Sequence, residues 1–209
     1  MSIRYTVGLA LDPVFTARAY RARQLICGQY ACWAAEMHLV SLPVTGYFSC
    51  PDSSVESLAA GCAEVASKVR ETSPRFTLTH RGVRDLPGVI GHIFLDFSNS
   101  GRAQPVYALH RSVGELLQQT PGIAQEGLFP GNGYLPHLPL MQYGDLPAAV
   151  FADAVEFARA VVTDLEVPGA ARAWRLLLLR LRSDAAGESW EGGRWAADLR
   201  WQVISSDPL

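Results

Sequence analysis

The chain has 209 residues, 49% of them apolar and 18% charged, with a formal net charge of −2. That length and composition suit one well-packed core, or two small lobes sharing one. The charge argues against a broad electrostatic grip on duplex nucleic acid, though not against a local cationic cleft for one phosphate. Apolar runs are short, and even Trp174 to Leu179 stops at Arg180, far below the roughly 20 residues that cross a bilayer. The first residues lack a signal peptide's apolar core and cleavage site. A cytoplasmic protein with no membrane partner is expected. Cys27, Cys32, Cys50 and Cys62 form no CxxC pair and no regular spacing, so neither zinc nor an iron–sulfur cluster is implied.

In chain order, Tyr5 to Leu11 has the β-branched and apolar mix of a strand, and Pro13 opens a helix pattern through Leu25. Met37 to Leu42 reads as a second strand bounded by Pro43 and carrying His38, with Thr45-Gly46-Tyr47 as a turn or site loop. Pro51-Asp52-Ser53-Ser54 offers helix-start chemistry for a helix running through Val69. Phe76 to Val83 and Val89 to Phe97 predict a hairpin across Asp85-Leu86-Pro87-Gly88. Val106, Leu109, Val113, Leu116 and Leu117 outline a third helix, followed by a glycine-rich loop from Gly122 to Gly133. Order resumes at Tyr134 to Gln142, which carries His137, and Pro147 starts a fourth helix with an apolar stripe through Val161. Ala171 to Leu181 and Trp195 to Ser205 are candidate strands around a flexible link from Asp184 to Gly193. No domain boundary interrupts the sequence, so residues 1–209 read as one unit.

Two histidines stand out, each in a short apolar segment followed by a helix pattern: Met37-His38-Leu39-Val40-Ser41-Leu42 and Tyr134-Leu135-Pro136-His137-Leu138-Pro139-Leu140. By residue type alone each reads as a hydrogen-bonded histidine near the end of a core strand. Together, with Tyr143-Gly144-Asp145 behind the second, they resemble the two motifs of the two-histidine phosphoesterase superfamily. That superfamily includes bacterial RNA-ligase-like proteins and eukaryotic cyclic nucleotide phosphodiesterases. The order of elements supports the resemblance from Tyr5 to about Val203.

The resemblance implies an α+β fold, two-lobed, with mostly antiparallel sheets around a central cleft and helices on the outer faces. It implies a phosphoester-binding protein whose catalytic residues are His38 and His137, one accepting a proton from water and the other donating one to the leaving ribose oxygen. Histidine suits both tasks because its reference pKa near 6.5 makes either state accessible. The implied substrates are a 2′,3′-cyclic nucleotide, a cyclic phosphate at an RNA end, or an ADP-ribose cyclic phosphate, handled with no metal or other cofactor. Ser41, Thr45, Tyr47, Tyr134 and Tyr143 are the substrate-binding candidates. The family pattern places Thr or Ser two positions after each histidine, whereas this chain has Val40 and Pro139 there. Ser41, one residue further, reaches the same face only if the strand is bulged or its register altered. The alternative reading is therefore a non-catalytic nucleotide-binding or protein-interaction module that retains the cleft.

Other segments carry less. Thr79-His80-Arg81-Gly82 has phosphate-compatible donors but reads as a strand end with a locally satisfied histidine. His92 is a strand residue facing either core or solvent, and His110 falls on a helix. The run from Arg175 to Arg182 reads as a sheet edge or solvated face.

Overall fold

The structure, a computed structural model, describes residues 1–87, 91–98, 104–125, 133–187, 190 and 193–209. Strand β1 (Ser2–Leu11) buries Tyr5, Val7, Leu9 and Leu11 along one face, as the period-2 pattern requires. Asp12 ends it and starts α1 (Pro13–Tyr30): its carboxylate accepts the Phe15 amide at 3.1 Å, and Pro13 occupies the first turn. The helix runs five residues past the expected Leu25, to Ala31 in a left-handed cap whose amide donates to Cys27.

The next segment departs from expectation. Met37 to Leu42 does not form a strand: a 3-10 turn at Trp33–Ala35 leads into an irregular turn through Ser41, and only β2 (Leu42–Pro43) pairs with β1. After β3 (Phe48–Ser49) comes α2 (Val55–Thr72). The predicted strand at Phe76 to Val83 divides into β4 (Thr77–Thr79) and β5 (Val83–Leu86). The hairpin partner of β5 is β6 (His92–Asp96), and Val89 lies outside the described residues. Then follow α3 (Pro105–Gln119), β7 (Ala124–Gln125), β8 (His137–Met141), α4 (Ala148–Asp164), β9 (Ala170–Ser183) and β10 (Arg200–Pro208). Most of the predicted loop at Gly122 to Gly133 also falls outside the described residues.

The strands form two sheets. The larger runs β10-β9-β1-β3-β7, with β2 added to β1 and β4 to β9; the smaller runs β5-β6-β8. Every described pairing is antiparallel. Helix α2 covers the larger sheet with α3 packed against it, while α1 and α4 pack together over the smaller one. One continuous apolar core joins the two lobes, with Val7, Leu9 and Phe48 from the larger sheet and Leu95, Leu138 and Leu140 from the smaller. The architecture is thus α+β and two-lobed, with antiparallel sheets and outer helices.

Strand β9 corrects a second expectation. It lies between β10 and β1, and its leucines are buried on both faces: Leu176 and Leu178 in the main core, Leu177, Leu179 and Leu181 against Trp190 and Trp195. A strand covered on both sides reads as a continuous apolar run, which is why its arginines resembled a charged edge. Trp195, expected to open the last strand, sits fully buried in a 3-10 turn at Arg194–Ala197.

Candidate active site

A cleft of about 200 Å³ opens between the lobes, and both His38 and His137 line it. His38 reaches it from the irregular turn before β2. Its imidazole packs edge-on to Trp195, ring centres 4.5 Å apart, and its Nε2 lies 3.0 Å from the Tyr47 hydroxyl. Burial pulls its pKa down from 6.5 to about 3, with the nearby Arg23 charge adding to the effect. Burial also raises the Tyr47 phenol well above its ordinary value, so this hydroxyl keeps its proton.

His137 begins β8, opposite Asp96 on β6. Its Nδ1 stands 2.8 Å from the Leu135 carbonyl. A carbonyl only accepts, so Nδ1 carries the proton, and in the neutral ring Nε2 is the basic nitrogen. Burial lowers its pKa, while the Leu135 bond and the Asp96 carboxylate work in the opposite direction.

Beneath both segments lies Arg23 of α1, which is 1% exposed. Its Nε and Nη2 donate to the Pro139 carbonyl at 3.0 and 2.8 Å, and its Nη1 to the carbonyls of Ala35 and His38, both at 3.0 Å. Burial lowers its pKa to about 10, so it remains charged at neutral pH. The two histidine segments are thereby tied to one guanidinium. Within the expected strand, the His38 carbonyl is committed to Arg23 rather than to a neighbouring strand.

The other candidates divide. Ser41 lines the cleft because the backbone here turns rather than alternates. Gly8 makes room for it, since a Cβ at that position would lie 2.9 Å from the Ser41 hydroxyl. Val40 points into the main core, away from the cleft. Pro139 does line the cleft and offers no donor there. Thr45 and Tyr47 also line it, but the Thr45 hydroxyl oxygen already accepts the Val7 amide at 2.9 Å. Tyr143 forms part of the wall in a left-handed conformation, φ 52°, held against Trp195 and so close to Gly193 that a Cβ there would come within 2.4 Å of its ring. Tyr134 is not brought to the cleft: it is buried, stacked 4.0 Å from His110, and donates its hydroxyl to Pro43 at 3.0 Å.

Three contributors escaped the sequence reading: Arg23 and His92, the latter a third imidazole in the cleft, and Trp195, which packs behind His38. Nothing local marks Arg23 or Trp195, whereas position 92 was visible as a strand histidine of undecided facing. His80 behaves as expected of a structural histidine, with Nε2 2.9 Å from the Pro168 carbonyl and Nδ1 accepting from Gly82. Among the described residues, no group of three His, Cys, Asp or Glu side chains is arranged to hold a metal ion, and no helix is long and apolar enough to cross a membrane.

No family model and no curated protein matches the chain. Solved structures do. E. coli LigT complexed with ATP matches with a TM-score of 0.56 at 12% identity, over 99% of this chain and 97% of that one. LigT complexed with 3'-AMP gives 0.55 at 11%, over 99% and 97%, and apo LigT gives 0.53 at 12%, over 100% and 99%. At such identities the likeness is one of fold. The chain has the two-lobed α+β fold of E. coli LigT.

Proposed function

We propose that the cleft binds a singly charged cyclic phosphodiester, a 2′,3′-cyclic nucleotide or the cyclic phosphate at an RNA end, and that His38 and His137 hydrolyse it. The carrying observation is that both imidazoles, one from each lobe, line one cleft together with Ser41. Among the described residues lining it, Arg23 is the sole cation, and its Nε, Nη1 and Nη2 all donate to backbone carbonyls. That favours one negative charge over the several of an ADP-ribose cyclic phosphate. The LigT structures with ATP and 3'-AMP support a nucleotide as the ligand.

In the reaction, water attacks phosphorus and one ribose P–O bond breaks, leaving a phosphomonoester. His38 takes the proton from water at Nε2 as water displaces the Tyr47 hydroxyl. Burial opposes a charge on His137, and the Leu135 carbonyl and Asp96 offset part of that opposition; with the bound phosphate anion it enters as imidazolium and protonates the departing ribose oxygen. The phosphate anion itself stabilises that imidazolium. The Ser41 hydroxyl donates to a non-bridging oxygen.

A second reading rests on two observations: Tyr47 occupies the His38 Nε2, and Pro139 offers the cleft no donor. In that reading the cleft binds without converting. One experiment separates them: wild type, His38→Ala and His137→Ala are incubated with 2′,3′-cyclic nucleotides and cyclic-phosphate-ended RNA, following both binding and product. Turnover by wild type alone supports hydrolysis. Equal turnover by all three removes the catalytic pair, and binding without product selects the second reading.

A further inference from the structure

We propose that His92 is a third ligand-contacting residue of the cleft, donating from Nε2 to a non-bridging phosphate oxygen in place of the hydroxyl that Pro139 lacks. This rests on the phosphoester reading above and adds a residue to it. His92 opens β6, in register with Leu86 on β5 and one residue before the Ile93–Met141 pair that joins β6 to β8. Side chains alternate along a strand, so His92 and Phe94 share a face, and both line the cleft with Pro139, the ladder partner of Phe94. Its ring is set at 88° to that of Tyr143, centres 5.2 Å apart, which fixes its orientation through packing.

The second observation concerns its bonding. Nε2 is enclosed and has no hydrogen-bond partner among the described residues. A buried polar atom left unpaired is costly, and native folds rarely tolerate it without a reason. The other histidines around the core show the contrast: His80, His110 and His137 each have a ring nitrogen within 2.9 Å of a carbonyl. His92 sits in the wall of a ligand cleft with its bonding capacity unspent. Burial and the proximity of His137 lower its pKa to about 4, so at neutral pH it is an uncharged ring with one proton. A phosphate oxygen, a pure acceptor, draws that proton to Nε2. The site thereby gains a donor without a second permanent charge, in keeping with a singly charged ligand.

The test uses the full chain and two probes, uridine 3′-monophosphate and uridine 2′,3′-cyclic phosphate, with affinity measured calorimetrically for wild type, His92→Ala, His92→Gln and His92→Ala/Pro139→Ser. His92→Ala is expected to weaken both probes at least ten-fold. His92→Gln, whose amide nitrogen can donate from a similar reach, should stay within about three-fold of wild type. Pro139→Ser should recover part of the loss in the alanine background. Affinity within two-fold of wild type for His92→Ala overturns the assignment while leaving the phosphoester reading intact. Wild type that binds neither probe overturns that reading, and this one with it. Should the alanine variant misfold, the imidazole nitrogen resonances of wild type decide: a His92 Nε2 shift on ligand addition supports the contact. Movement confined to His38 and His137 refutes it.

Discussion

At the residue scale, acid and base roles separate by leaving group. A nucleoside p-nitrophenyl phosphodiester expels an anion that needs no proton, so losing the general acid costs little on it whereas losing the base costs as much as before. His137→Ala should therefore retain a far larger fraction of wild-type kcat/KM on the aryl ester than on the cyclic nucleotide, while His38→Ala loses both alike; the reverse pattern exchanges the two roles. The hydroxyl question has also moved. The family pattern directs attention to position 40, yet Val40 is core and Ser41 faces the cleft. Ser41→Ala should weaken phosphate binding by about ten-fold to a hundred-fold, the equivalent of roughly 1.5–3 kcal/mol for a hydrogen bond to a charged partner. Val40→Thr should instead leave affinity unchanged and lower stability by about 1–3 kcal/mol by burying a hydroxyl, which denaturant melts would register.

At the element scale, the turn from Trp33 to Ser41 depends on one side chain of another element. Arg23→Lys keeps the charge, but a single ammonium cannot span the carbonyls of Pro139, Ala35 and His38. We expect a loss of about 3 kcal/mol in urea unfolding together with a collapse in turnover, since the backbone under both histidines loses its anchor; unchanged values for both would remove the anchoring role. This tie also explains where sequence reading stopped. The helices and β1 were legible because apolar spacing and caps such as Asp12 are local, and β8 with His137 was legible from its motif. Met37 to Leu42 has a strand's composition, and the bond of its His38 carbonyl to a distant guanidinium leaves no local signal. Likewise β9 revealed its apolar run but not the tryptophans that cover its second face. The role of His92 arises from β6 lying beside β8, a pairing that no single segment encodes.

At the scale of the whole molecule, the fold holds the His38 and His92 imidazoles in their neutral form. His38 lies among Arg23, Tyr47 and Trp195, and His92 beside His137 and Tyr143, with folded pKa values of about 3 and about 4. An unfolded chain returns both to about 6.5. Above pH 6.5 neither state binds these protons and stability is insensitive to them. Below it the unfolded chain takes up protons that the folded one refuses, so stability falls as pH drops, by up to about 1.4 kcal/mol per unit for each histidine. Urea unfolding at pH 7.5, 6.0 and 5.0 should show this decline, shallower in His38→Gln and in His92→Gln; identical slopes in wild type and variants would contradict the neutral burial. The contact between Trp195 and His38, ring centres 4.5 Å apart, has an optical consequence. A protonated imidazole against an indole quenches its emission, whereas a neutral one does so far less. A buried fluorophore thus sits against one of the two histidines that change charge in the proposed cycle. The chain has five tryptophans, so the part of the emission lost in a Trp195→Phe variant is the label-free signal of occupancy and protonation there.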